Sequence, residues 1–175
     1  LRQIAGHAEK LLCITLSPDG KTVAAAGAGK IHSIKLWEVD TGKDVREITG
    51  HARSVLSLAF SPNGQQIVSG GDDNLAKLWE VATGNAVRDI KGHEGPVNAV
   101  AFTPNGAQIV TGANDNTVRL WNVADAAQVR AFAGHTGPVL AVALNKDGSR
   151  IVSGSADKTV KVWNAADGAA LQTLA

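Results

Sequence analysis

What the chain has little of sets its first bounds. Its 175 residues include one cysteine, no methionine and only 4% aromatics. A lone cysteine, Cys13, excludes an internal disulfide framework and leans the reading toward a reducing compartment, the cytoplasm. With no methionine and Leu1 at the first position, the chain is expected not to start at a translation start, so the lack of a leader carries no weight. No apolar run approaches the ~20 residues of a membrane helix, so no membrane partner is expected. Net charge is only +1, from seventeen basic and sixteen acidic residues, which lacks the positive footprint that non-specific nucleic-acid binding draws on. No nucleic-acid partner is expected either. With 44% hydrophobic and 19% charged residues, the composition is that of a folded, soluble chain.

What is present is a repeat. Tryptophans stand at 37, 79, 121 and 163, each 42 residues after the last, and Gly-His pairs at Gly6-His7, Gly50-His51, Gly92-His93 and Gly134-His135. Between them lie short alternating runs with turn punctuation and no 3.6-residue apolar period, which predicts strands. Each unit carries four. The first is LLCITL, VLSLAF, VNAVAF or VLAVAL, and a turn such as Ser61-Pro62-Asn63-Gly64 leads to the second, QIVSGG and its equivalents. The third holds the tryptophan. The fourth begins eight residues later, as VREIT, VRDIK, VRAFA or LQTLA, and the chain also opens on this element, LRQIA. Strict alternation puts Val55, Ser57 and Ala59 on one face, with Cys13, Ser57, Ala99 and Ala141 in one small packing slot. Four-stranded units with two packable faces are expected to stack on their neighbours.

The order Gly-His, then Ser/Thr-Gly, then Asp, then Trp resembles the WD-repeat family of β-propellers across essentially the whole chain, although Trp37-Glu38, Trp79-Glu80, Trp121-Asn122 and Trp163-Asn164 replace the name-giving dipeptide. The resemblance implies an all-β fold of propeller blades, four antiparallel strands each, forming half of an eight-blade ring or part of a larger propeller. The expected boundaries are an outer strand of a preceding blade at 1–5, then blades at 11–49, 53–91, 95–133 and 137–175. It also implies a buried hydrogen-bond tetrad in three blades: His51, Ser69, Asp73 and Trp79; His93, Thr111, Asp115 and Trp121; His135, Ser153, Asp157 and Trp163. The first blade departs from this, with Ala25 in the hydroxyl slot, Ile31 in the aspartate slot and a lengthened turn bearing Lys30 and His32.

Ser, His and Asp within reach of one another invite a hydrolase reading. Here the set recurs three times at equal spacing, as a structural clasp would and a catalytic site would not, so no enzymatic activity is expected. No His or Cys pair has metal-ligand spacing, Gly27-Ala28-Gly29-Lys30 is too short for a phosphate loop, and no cofactor is expected. Lys35, Lys77, Arg119 and Lys161, two residues before each tryptophan, read as snorkelling surface positions.

The expected function is a non-enzymatic scaffold that binds proteins or peptides on one rim, the top, where loops differ while the framework repeats. Candidate contacts are Lys30, His32, Arg53, Asp72, Glu94, Asn114 and Thr136. Two alternatives stand beside it: a self-assembling structural module, and a propeller accessory to a larger signalling or enzymatic protein. Because the fourth-type strand occurs five times against four of the others, the chain is expected to be either a window of a longer array or a unit that pairs with a second copy into an eight-blade ring.

Overall fold

The computed structural model describes residues 10–175, so the expected strand at 1–5 and the pair Gly6-His7 lie outside the described residues. The described residues form strands and no helix. The first sheet holds β1 (Lys10–Leu16), β2 (Thr22–Ala28), β3 (Ile34–Glu38) and β4 (Asp44–Ile48). The second holds β5 (Val55–Phe60), β6 (Gln66–Gly71), β7 (Ala76–Glu80) and β8 (Ala86–Ile90). The third holds β9 (Val97–Phe102), β10 (Gln108–Ala113), β11 (Val118–Asn122) and β12 (Gln128–Phe132), and the fourth β13 (Val139–Leu144), β14 (Arg150–Ser155), β15 (Val160–Asn164) and β16 (Ala170–Leu174). Each sheet is an antiparallel meander in chain order, the topology that short turns dictate. In the first turn Ser17 Oγ donates to Asp19 Oδ1 at 2.6 Å, and Gly20 takes the positive φ of 74° that closes the hairpin.

The sheets stack as blades, each joint meeting one blade's front with the next blade's rear. Val55, Leu58, Phe60, Ile67 and Trp79 form the rear of blade 2 and pack on Ala24, Ala26, Ile34, Leu36 and Ile48 at the front of blade 1. The pattern recurs where Val97, Val100, Ile109 and Trp121 meet Val68, Ala76, Leu78 and Ile90, and where Val139, Ile151 and Trp163 meet Val110, Val118, Leu120 and Phe132. A bulky tryptophan-bearing rear thus fills a flatter front, and each fully buried aliphatic or aromatic side chain contributes about 1.5–3 kcal/mol.

Strict alternation fails in the first strand of every unit. The pairing of β5 with β6 shifts register between Val55 and Ser57, leaving Leu56 as a bulge. The extra residue reverses the phase, so Val55 faces blade 1 together with Leu58 and Phe60, whereas Ala59 packs toward blade 3. Val55, Ser57 and Ala59 therefore do not share one face. The same break falls at Leu11/Cys13, Val97/Ala99 and Val139/Ala141, and the small slot of Cys13, Ser57, Ala99 and Ala141 directly follows the bulge.

Two rim contacts reinforce the joints. Arg46 donates through Nη1 to Thr83 O at 2.8 Å and through Nη2 to Ala82 O at 2.6 Å, spanning from blade 1 to the turn of blade 2. Arg130 repeats this from blade 3 to blade 4, on Asp167 O at 2.8 Å and Ala166 O at 2.6 Å. At the same end each turn proline abuts the next blade's turn glycine: a Cβ on Gly64 would stand 3.6 Å from Pro18 Cδ, and one on Gly106 3.5 Å from Pro62 Cδ.

Blades 1 and 4 each leave apolar side chains of one face exposed, although Trp37 of blade 1 is buried. Ile14 is 69% exposed, while its equivalent in blade 2, Leu58, is 9% exposed. Leu174 is 49% exposed against 1% for Phe132, its equivalent in blade 3. Leu11 and Leu16 accompany Ile14, and Val160 accompanies Leu174, all exposed.

Candidate functional site

The polar residues of each repeat divide between a buried clasp and an exposed rim. In blade 2 the clasp begins at Gly50, where φ is 146° and a Cβ would come within 2.9 Å of Trp79 Cη2. Only glycine fits that approach, and it turns His51 inward. His51 Nδ1 lies 2.9 Å from Asp73 Oδ2 and its Nε2 2.7 Å from Ser69 Oγ, while Trp79 Nε1 donates to Ser69 Oγ at 2.7 Å. A carboxylate only accepts, so the proton sits on Nδ1, Nε2 accepts from the serine hydroxyl, and the imidazole is neutral.

Blade 3 brings together His93, Thr111, Asp115 and Trp121, with His93 Nδ1 2.7 Å from Asp115 Oδ2, Nε2 2.6 Å from Thr111 Oγ1, and Trp121 Nε1 donating at 2.8 Å. Blade 4 brings together His135, Ser153, Asp157 and Trp163, with all three bonds at 2.8 Å. Burial holds the imidazoles of His51 and His93 below their ordinary pKa, outweighing the pull of the adjacent carboxylates. Burial alone would raise Asp73, but the Ala52 N–H and His51 outweigh it and keep its carboxyl below the usual range. Asp115 behaves alike, with Thr117 and His93 overcoming its burial.

This is the connectivity of a hydrolytic triad without its access. Ser69 and Thr111 are completely buried, and the indole N–H occupies each hydroxyl oxygen, so no substrate carbonyl can approach it. Among the described residues no group of three His, Cys, Asp or Glu side chains is arranged to hold a metal ion. In blade 1, Ala25 pairs with Lys35 as Ser69 pairs with Lys77, so the hydroxyl slot holds a methyl group.

The basic positions before the tryptophans are more tied down than snorkelling allows. Lys77 is buried, with Nζ 2.6 Å from Asp89 Oδ1, which corrects its reading as a surface residue. Fourth-strand neighbours explain this: Asp89 faces Lys77 across β7 and β8. Arg119 donates to Gly92 O at 2.8 Å and lies 3.3 Å from Asp115 Oδ2, joining the clasp. Sequence reasoning also missed Thr117 and Thr159, each donating to its aspartate at 2.7 Å. Their signal was a hydroxyl two residues after the aspartate in both blades.

The loops after β4, β8 and β12 share one end of the array with those after β6, β10 and β14. Asp72 N donates to Ser54 O, Asn114 N to Pro96 O and Ala156 N to Pro138 O, at 2.8–2.9 Å. Glu94 and Thr136 are exposed with their N–H groups held by Asp115 and Asp157 at 3.1 and 3.0 Å. In blade 2 the residue so held is Ala52, not Arg53; Arg53 stands one place on, where the other blades have Gly95 and Gly137, and reaches to 3.8 Å from Asp72. Asn114 is exposed and accepts from Asn98, which also donates across the joint to Val139 O at 2.8 Å. Lys30 is exposed in the lengthened turn of blade 1; His32 beside it is half-buried with φ 52° and lies on the same loop end, apart from the three clasps.

Four-stranded antiparallel blades, stacked face to face and three of them pinned by a tryptophan–hydroxyl–histidine–aspartate chain, define a β-propeller repeat array. The WD domain, G-beta repeat family matches residues 1–38, 42–80, 84–122 and 126–164. The chain belongs to that family. Each matched segment from residue 42 onward runs from a fourth strand through the next blade's tryptophan, so the sequence unit is offset from the sheet by one strand. No curated protein matches the chain. Repeats of this family commonly serve as protein–protein interaction scaffolds.

Proposed function

We propose that the chain is a non-enzymatic scaffold that binds a protein or peptide on the rim carrying the Gly-His loops. The observation that carries this reading is the aspartate clamp. In each of three blades a buried carboxylate fixes the N–H of an exposed loop residue whose identity changes, Ala52, Glu94 or Thr136, on a framework that does not change. Rigid backbone under variable side chains is preorganised for recognition. Arg53, Asp72, Glu94, Asn114 and Thr136 are the contacts, with Lys30 and His32 extending the surface at blade 1. Panning a random-peptide phage library on the purified chain tests it, with an Arg53→Ala, Glu94→Ala, Asn114→Ala variant as the counter-target. Peptides that bind the parent and lose the variant support the rim. Peptides that bind both equally overturn it.

A second reading is favoured by the uncovered faces: the chain pairs with a second copy, so that two four-blade arrays close an eight-blade ring. The exposed Leu11, Ile14 and Leu16 occupy positions that the internal joints bury wholly or in part.

A further inference from the structure

Resting on the reading that the chain pairs with itself, we infer that the joint is directional, front of blade 4 onto rear of blade 1, and is keyed by Lys146 of one copy against Asp19 of the other.

The apolar argument comes first. The rear of blade 1 offers Leu11, Ile14 and Leu16 where blade 2 has Val55, Leu58 and Phe60; the front of blade 4 offers Val160, Val162 and Leu174 where blade 3 has Val118, Leu120 and Phe132. Three internal joints already pair such a front with such a rear. None pairs two rears or two fronts: at each, the tryptophan of one blade's rear packs on the apolar side chains of the preceding blade's front. The uncovered surfaces are therefore the two halves of a fourth joint of the same kind.

The rim contacts then distinguish this joint from the internal three. Where Pro18, Pro62 and Pro104 abut the next blade's turn glycine, blade 4 has Lys146. The glycine it would meet is Gly20, around which a Cβ would find nothing within 4 Å. Next to Gly20 is Asp19, exposed, whereas the turns of blades 2 and 3 have the neutral Asn63 and Asn105 there. A cation thus replaces proline on one side of this joint only, and an anion waits on the other. At the same rim Gln172 replaces the arginine of Arg46 and Arg130, and would reach the carbonyls of Asp40 and Thr41, the equivalents of Ala82 and Thr83. Gln172 offers one amide donor group where the guanidinium forks to two carbonyls, so this joint has a weaker rim latch than the two held by Arg46 and Arg130.

Light scattering on the 18.0 kDa chain separates the reading from the inference. A mass of one chain at tens of micromolar overturns both. Given a dimer, Ile14→Asp spoils every rear and Leu174→Asp every front, so each variant alone is expected to be monomeric and the two mixed to form a one-to-one pair through the remaining good joint. Ile14→Asp monomeric with Leu174→Asp still dimeric means rear-to-rear pairing and overturns the directional joint, as does the reverse. Lys146→Asp is expected to raise the dimer Kd about tenfold, and adding Asp19→Lys to restore it. A dimer unmoved by either charge change overturns the key while leaving self-association in place. Circular dichroism of each variant confirms that the blades are folded.

Discussion

Gly84 lies under Arg46: a Cβ on that glycine would stand 2.8 Å from the arginine's Cδ. The position recurs as Ala126 in blade 3, a non-glycine residue at φ 57°, and there the equivalent arginine, Arg88, makes no hydrogen bond among the described residues. The methyl group of Ala126 occupies the place where the arginine stem would lie. One joint of three therefore lacks its latch.

Ala126→Gly is expected to stabilise the fold. It relieves a left-handed alanine, frees Arg88 to reach Ala124 O and Asp125 O, and loses a few tenths of a kcal/mol to the added freedom of the unfolded chain. The net gain is about 1 kcal/mol, a Tm rise of about 2–4 °C by calorimetry. Arg88→Ala should cost more in the Ala126→Gly background than in the parent.

Asp115→Ala strands His93 Nδ1, Thr117 Oγ1, the Glu94 N–H and part of Arg119. A loss of about 1–3 kcal/mol is expected in urea unfolding. Thr111→Val should cost as much, since it removes the hydroxyl that joins Trp121 to His93. An unchanged denaturation midpoint in both would count against the clasp as a stabilising network.

Stability should fall in acid in two stages. Folded His51 and His93 sit below their unfolded pKa, so near and below pH 6.5 the unfolded chain binds protons that the folded one refuses. Their contribution is complete above about pH 7 and declines as pH falls, by up to about 1.4 kcal/mol per pH unit per histidine. Asp73 and Asp115 are also depressed, which adds a second decline below about pH 4. Chemical denaturation across pH 3–8 should show both steps, and His51→Gln should shallow the first.

Ser57→Ala is expected to stabilise. The Ser57 hydroxyl is buried with no hydrogen-bond partner, and the same slot holds Ala99 and Ala141 in blades 3 and 4. Removing it should gain about 1 kcal/mol in thermal or urea unfolding.

Cys13 should resist alkylation in the native chain. Burial pushes its thiol up to about 12, and Sγ lies 3.6 Å from Ala26 O in the joint between blades 1 and 2. At pH 8 roughly one thiol in ten thousand is ionised, so iodoacetamide labelling should be orders of magnitude slower than in urea.

The 42-residue period made the blades legible, because every element of blades 2 to 4 repeats with it and Trp79, Trp121 and Trp163 all land in one buried slot. The clasp residues were legible for the same reason. Leu56 was not: a bulge inserts one residue without altering composition, so counting by twos carried Ala59 to the wrong side. Lys77 was misread because its burial depends on Asp89, twelve residues away and on another strand. The arginine latch was in view as a recurring Val-Arg, yet its targets are backbone carbonyls, which carry no letter in the sequence.

Because every joint pairs the same front with the same rear, the molecule is indifferent to how many blades stand between its ends. Excising residues 84–125 would splice the front of blade 2, with Val68, Leu78 and with Phe132 in the place of the excised Ile90, directly onto Val139, Ile151 and Trp163 of blade 4. Unequal crossing-over within such a gene would therefore add or remove whole blades while preserving each surviving seam. That lets the length of the array drift without a folding penalty at the point of change.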